Sequence, residues 1–483
     1  MPHSSGAVAG PAGSGERSTY DHGVQKTVVL NVVGLTPSLI GEQTPAIAAF
    51  RDAGHMAYVS PALPAVTCTA QTNYLTGTTP GVHGIVANGW YYRDTQEVRF
   101  WQQADGLVQR PRIWTTARLR DARFTCANLF WWYAMYCGAD WTVTPRPMYP
   151  ADGRKVPDVW ANPPALRDEL QEELGQFPLF KFWGPAADIS CSRWIAQAAI
   201  RVDRRFDPML TLVYLPHLDY VLQKHGPKAA EVSPELRAID AVVGQLLEHF
   251  RSRGARVMIL SEYGIVPVSR PVHINRVLRE AGLIQVRREL GTERLDAGAS
   301  RAFAAVDHQV AHVYVRDAAD LPVVRDLLEK TEGVARVLDE RGKLEAGLNH
   351  ARSGELVALA APDAWFTYYY WLDDALAPDY ARTVDIHRKP GYDPVELFFD
   401  PSKRAIKARA AAKVLARKAG FRALLDVIPL DATLVRGSHG LIPEDPAHGP
   451  MVISNEPRTM RTERIESTGV HDLILRHVFG GEI

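Results

Sequence analysis

The run KTVVLNVVGL at residues 26–35 places the tightest constraint on the fold. Its apolar residues do not alternate with polar ones, and most are β-branched, so a strand built from it needs burial on both faces. Such a strand belongs inside a parallel sheet covered by helices, and the closing glycine marks its turn. Similar runs recur at FTCANLF (124–130), LTLVYL (210–215) and RVMILS (256–261), with a shorter one at AYVS before residue 61. Helical patterns fall between them. TPAIAAFRDAG offers Thr44 as cap and Pro45 as first helical residue, and CSRWIAQAAIRVDRRF and SPELRAIDAVVGQLLEHF follow later. The alternation predicts an α/β fold: a three-layer sandwich with a central, mostly parallel sheet.

The pattern restarts near Asp307, where HQVAHVYV, GVARVL and GELVALAA read as strands and AADLPVVRDLLEK as a helix. This predicts a smaller inserted α/β domain over roughly 285–430, with the main domain formed by 26–284 and 431–483. Within the insertion, 363–430 is irregular apart from the helix SKRAIKARAAAKVLARKAG, and it carries the aromatic run WFTYYYW. Residues 1–25 are rich in Gly, Ser, Ala and Pro and lack the apolar stretch of a signal peptide, so they are expected to form a disordered tail.

Charge is balanced at 55 basic and 55 acidic residues, which gives no global field toward nucleic acid or an anionic membrane. The basic run from Lys403 to Lys418 reads as one solvated helix face. The four cysteines show no metal-finger spacing and fit reduced thiols in the cytoplasm. No stretch of eighteen apolar residues is present, so no membrane span is expected.

Ligands in an open parallel sheet bind outside the carboxyl ends of the strands. Four polar clusters fall at such positions: VGLTPS, PHLDYVLQKHGP, SEYG and GSHG. A further segment, PALPAVTCTAQTNYLTGTTPGVHGIVANGW at 61–90, has no Asp, Glu, Lys or Arg. It offers small hydroxyls, glycines and one His, which suits a nucleophilic hydroxyl that receives an anion.

The order of these motifs resembles the alkaline phosphatase superfamily, in particular its nucleotide pyrophosphatase/phosphodiesterase-like and phosphonoacetate hydrolase-like members, over most of 26–480. The resemblance implies that Thr67 is the nucleophile and Asn88 the phosphate-binding amide. A helix N-terminus beside Thr67 would supply N–H groups for phosphoryl oxygens, and a base or metal would activate the hydroxyl. The plainer alternative is that Thr67 only caps a helix. The resemblance also implies two divalent metals about 4 Å apart, and here the chain departs from the pattern. Val33 stands where a ligand Asp is expected, Glu262-Tyr263 replaces Asp-His, and Gln223 replaces the His that follows Asp219. His439 is retained. One metal site is then expected from Asp219, His439 and Gln223, and another from Thr67, Glu262 and Asn31, with one or two ions of Mn, Mg or Zn. Glu262 is alternatively a base for Thr67.

His387, Arg388 and Lys389 flank a Pro-Gly turn near Asp393 and are candidate substrate contacts, as is Tyr263. His217 and His225 are expected beside the site, His83 in a structural role, and His308 and His312 as core or edge residues. The aromatic run from Trp365 to Trp371 walls a pocket or fills a core. The expected activity is hydrolysis of a small phosphorylated substrate, a phosphodiester or pyrophosphate, through a phosphothreonine. The alternatives are a non-hydrolytic relative that binds a phosphorylated metabolite or a partner protein, and a transferase.

Overall fold

The computed structural model describes residues 24–480 except 457 and 461. The main sheet has nine strands: β1 (Thr27–Val32), β2 (His55–Ser60), β3 (Cys126–Leu129), β4 (Trp141–Pro145), β5 (Val159–Asn162), β6 (Leu210–Leu215), β7 (Arg256–Leu260), and two late strands, Met451–Ser454 and Arg464–Glu466. β1 lies at the centre, paired in parallel with β6 and β7, and all six of its residues are buried. That is the environment its unbroken apolar run requires. The strand at Met451–Ser454 runs antiparallel between β2 and β7, and the edge strand β5 is antiparallel to β4, so the sheet is mostly but not wholly parallel.

Helices α1 (Pro45–Ala53), α2 (Thr67–Thr76), α3 (Ser190–Phe206), α4 (His217–His225) and α5 (Val232–Ser252) pack with this sheet in one continuous hydrophobic core. The last two residues assigned to the expected tail, Val24 and Gln25, belong to the fold. Val24 is buried, and the Gln25 N–H donates to the Val478 carbonyl at 2.6 Å. Residues 1–23 lie outside the described residues.

The chain leaves the main sheet after Leu260 and rejoins it at Met451, a longer excursion than 285–430. It builds a second sheet from β8 (Ala302–Asp307), β9 (Val310–Val315), β10 (Val334–Leu338) and β11 (Leu356–Ala360), in the order β8-β9-β11-β10 and antiparallel throughout. Helix α6 (Leu321–Glu329) connects β9 to β10. The aromatic run Trp365–Trp371 is buried in the core of this second unit, which resolves its role in favour of packing. Two later helices are α7 (Ile406–Lys418), within this excursion, and α8 (Gly469–Phe479), after the return to the main sheet.

Candidate active site

The carboxyl ends of β1, β6 and β7 carry the predicted groups to one edge. Asn31 pairs in register with Tyr214 and Leu260, one residue from the end of β1. β6 leads directly into α4, whose first turn holds Asp219. β7 leads into Ser261-Glu262-Tyr263. Thr67 is the first residue of α2, following Val66 in extended conformation. Residues four apart on a helix share a face, so Gln71 lies beneath Thr67 and donates to Glu262 Oε1 at 2.6 Å. Asn31 donates to the same oxygen at 2.5 Å. The segment bearing His439 crosses against α4 at Gly437, where a Cβ would lie 2.2 Å from the Leu222 carbonyl oxygen. Only glycine permits that approach.

Thr67, Asp219, Glu262, Tyr263 and His439 therefore converge. Thr67 Oγ1 lies 3.1 Å from the Tyr263 hydroxyl, which donates to Asp219 Oδ1 at 3.1 Å. Gln223 holds the other oxygen of Asp219 at 2.8 Å. The Tyr263 ring stacks on His439 with centroids 3.6 Å apart, while His308 lies tilted against His439 at 3.7 Å and against Tyr392 at 3.9 Å. This makes a column of four buried rings beside Thr67. His308 reaches it from the two-residue turn between β8 and β9, with φ of 58°. The preceding residue, Asp307, accepts the Asn88 backbone N–H at 2.8 Å and its side-chain amide at 3.1 Å. Asn88 in turn accepts the Cys68 N–H of α2 at 2.9 Å.

Burial dominates the electrostatics. Removal from water disfavours charge, so the carboxyls of Asp219 and Asp307 are pushed up to about 7 and that of Glu262 to about 8. The amide and phenol donors around them offset only part of this. Desolvation pushes His439 down to about 3, and its Nδ1 donates to the Ala65 carbonyl at 2.7 Å. Its Nε2 is therefore a bare acceptor, 3.8 Å from Asp219 Oδ1.

Divalent metals characterise the superfamily of this fold, but the donors of this chain do not fit a two-metal centre. Among the described residues, no three His, Cys, Asp or Glu side chains come together to hold an ion. The Tyr263 hydroxyl stands between Thr67 and Asp219, where a bridging ion needs contacts of about 2.0–2.2 Å to both. Val33 is buried and apolar. Glu262 Oε2, Asn31 Oδ1 and Gln223 Oε1 are buried without partners, yet they are two carboxamides and a carboxyl held neutral up to about 8. The expected sites from Asp219, His439 and Gln223, and from Thr67, Glu262 and Asn31, are thus brought together as neighbours but arranged as hydrogen-bonding groups.

The other candidates separate. Lys389 is buried between Asp393 at 2.9 Å and Glu396 at 2.7 Å, so its charge is already spent inside the protein. Arg388 is exposed and pairs with Asp385 at 3.3 Å. His387 is partly buried, and removal from water lowers its pKa. His83 bonds Asn73 at 2.8 Å and His312 the Val86 carbonyl at 3.1 Å, both structural roles. His217 pairs with Glu235 at 2.6 Å, and His225 is partly buried near Lys224. Sequence reasoning missed Gln71, Asp307 and Tyr392, and placed His308 in the core or at an edge rather than in this column. Of these, only Gln71 had a local signal, its four-residue spacing from Thr67.

A parallel sheet edge bearing a helix-start threonine, with an inserted unit folded over it, defines an α/β protein of alkaline-phosphatase type. Residues 27–393 match the model of the type I phosphodiesterase/nucleotide pyrophosphatase family, and the chain belongs to that family. An uncharacterized pyrophosphatase/phosphodiesterase of Schizosaccharomyces pombe is 33% identical over 66 residues, a match covering 13% of this chain and 14% of that relative. Among solved structures, murine ectonucleotide pyrophosphatase/phosphodiesterase 5 in complex with AMP aligns with a TM-score of 0.57 at 14% identity, covering 94% of this chain and 95% of the other. Phosphonoacetate hydrolase from Sinorhizobium meliloti 1021, in complex with phosphonoformate, aligns at 0.59 and 14% identity, covering 94% and 96%. At these identities the likeness is one of fold.

Proposed function

We propose that this chain is a phosphoric-ester hydrolase of phosphodiesterase or nucleotide pyrophosphatase type, with Thr67 as its nucleophile. The observation that carries the reading is the hydrogen-bonded chain Thr67–Tyr263–Asp219 at the start of α2. Thr67 Oγ attacks phosphorus in line while its proton passes to the Tyr263 oxygen and the Tyr263 proton passes to Asp219. The ester oxygen departs with the P–O electron pair and takes a proton from solvent. Water then attacks the phosphothreonine phosphorus and releases a proton to solvent, while the proton on Asp219 returns through Tyr263 to the departing Thr67 Oγ. With its carboxyl near 7, Asp219 is suited to accept a proton close to neutral pH. Asn88, held by Asp307, offers its amide to a phosphoryl oxygen. Glu262 is protonated below about 8 and so serves as a donor rather than a base. No step is routed through a metal, because the donors present do not fit a two-metal centre. The four free cysteines are consistent with a reducing, cytoplasmic setting.

The test is hydrolysis of bis-p-nitrophenyl phosphate by the wild type and Thr67→Ala, in chelator and with Mn, Mg or Zn added. Turnover that vanishes in Thr67→Ala supports the reading; equal rates overturn it. A second reading, binding of a phosphorylated metabolite without hydrolysis, is favoured by the donor set: Val33, Gln223 and Tyr263 stand where the resemblance implies metal ligands, and among the described residues no three His, Cys, Asp or Glu come together to hold an ion. It predicts no turnover under any of these conditions together with a saturable thermal shift on adding AMP.

A further inference from the structure

The balanced net charge conceals a strongly one-sided surface. Between Pro401 and Leu425 the chain has eight lysines and arginines and no acid, spanning α7 and the turn after it. Lys403 and Lys413 turn inward to Asp400 and Asp426 and fix the element to the body. Lys407, Arg409 and Arg422 are exposed, and among the described residues they have no carboxylate within ion-pair distance. Large apolar side chains stand among these cations: Leu415 is 64% exposed, Phe421 69% and Leu424 50%. A solvated salt-bridged helix would instead carry acids between its bases and keep such side chains covered.

The patch continues toward the candidate site. Lys407 lies near enough to Lys224, in the last turn of α4, to oppose its charge, and α4 carries Asp219 and Gln223. Arg422 likewise acts on Asp152 across a neighbouring hairpin, where Tyr149 is 57% exposed.

We propose that α7 and the turn after it form a docking face for an anionic phospholipid surface, with the cations meeting the headgroups and Leu415, Phe421 and Leu424 entering the interfacial layer. Charge complementarity together with exposed aliphatic side chains selects this occupant. Polybasic elements are drawn to acidic leaflets, and apolar side chains add anchorage. Nucleic acid would use the cations but gives leucines nothing to enter. No helix among the described residues is long and apolar enough to cross a membrane, so the attachment is peripheral. The inference does not rest on the hydrolase reading, because attachment is measured without turnover.

The experiment is co-sedimentation of the full chain with phosphatidylcholine vesicles and with mixed phosphatidylcholine/phosphatidylserine vesicles, at low and physiological salt. Binding should require phosphatidylserine and weaken with salt. The pair Lys407→Glu/Arg409→Glu should lower partitioning by roughly tenfold or more, given the contribution of each cation near an acidic surface. Leu415→Asp/Phe421→Asp should release the protein while leaving its circular dichroism unchanged. Equal sedimentation with both vesicle types overturns the proposal, as does unchanged binding by both variants. Retention on duplex DNA lost only in the charge variant, with no vesicle binding, assigns the face to nucleic acid and equally overturns it.

Discussion

Replacing Tyr263 by Phe separates the chemistry of the site from its architecture. The substitution removes one oxygen and leaves the ring that stacks on His439 at 3.6 Å. Two hydrogen bonds disappear, one to Thr67 and one to Asp219, each 3.1 Å long. Each contributes about 0.5–1.5 kcal/mol net, so stability should fall by about 1–3 kcal/mol. An unfolding entropy of about 2.1 cal/mol/K per residue over 483 residues makes that a drop of only about 1–3 °C in Tm if the chain unfolds as one unit. The hydroxyl also joins Thr67 to Asp219, and losing general-base assistance through it should lower kcat by about 10²–10⁴-fold. The assay is kcat on bis-p-nitrophenyl phosphate beside differential scanning fluorimetry of the same preparation. A variant within about threefold of wild-type kcat refutes the relay, since base assistance is worth far more than that. A large loss of Tm with a proportionate loss of activity would assign Tyr263 to structure alone.

Other outcomes follow from the same geometry. Lys389→Met should cost about 3–5 kcal/mol by leaving Asp393 and Glu396 buried without their cation; unchanged chemical stability with a raised KM would instead make Lys389 a substrate contact. Asp307→Asn turns one of the two oxygens that accept from Asn88 into a donor facing a donor and should lower kcat/KM by roughly tenfold or more, with steady-state kinetics as the check. Metal analysis of purified wild type should show less than a stoichiometric ion, whereas Tyr263→His combined with Gln223→His, which adds two imidazole donors, should raise bound zinc; two ions per wild-type chain would contradict the donor arrangement. Stability should also fall on both sides of a mildly acidic optimum. The carboxyls of Asp219, Asp307 and Glu262 are raised, so the stability they permit is complete at low pH and is lost as pH rises through 7 to 8. Buried His83 and His439 are lowered to about 3, so their contribution is complete above the ordinary histidine range and is lost as pH falls toward 3. Urea midpoints that stay flat from about pH 6 to about pH 9 would be inconsistent with those carboxyl shifts.

Much of the main domain was legible because its signals are local. The apolar run at 26–35 becomes the central strand, and LTLVYL becomes β6 at its expected limits. The helix Pro45–Ala53 begins at the proline that its cap signal marked. The predicted nucleophile, Thr67, opens α2, and the four polar clusters do gather at one sheet edge. The antiparallel strand at Met451–Ser454 was less legible, because strand direction depends on the path of the connecting chain rather than on the strand's own residues.

What the sequence by itself determined is therefore the α/β sandwich, the place of Thr67 at the helix start, and the departures at Val33, Gln223, Glu262 and Tyr263. Burial periodicity and motif order are written within short stretches of chain. Only the tertiary structure decided what replaces the missing ligands. Asp307 meets Asn88 across 219 residues and Tyr263 meets Thr67 across 196, and no local spacing encodes either contact. Lys389, a plausible substrate contact in an irregular loop, is enclosed with two carboxylates because folding brings Asp393 and Glu396 around it. Protonation was decided there as well, since a carboxyl's charge depends on how completely the fold removes it from water.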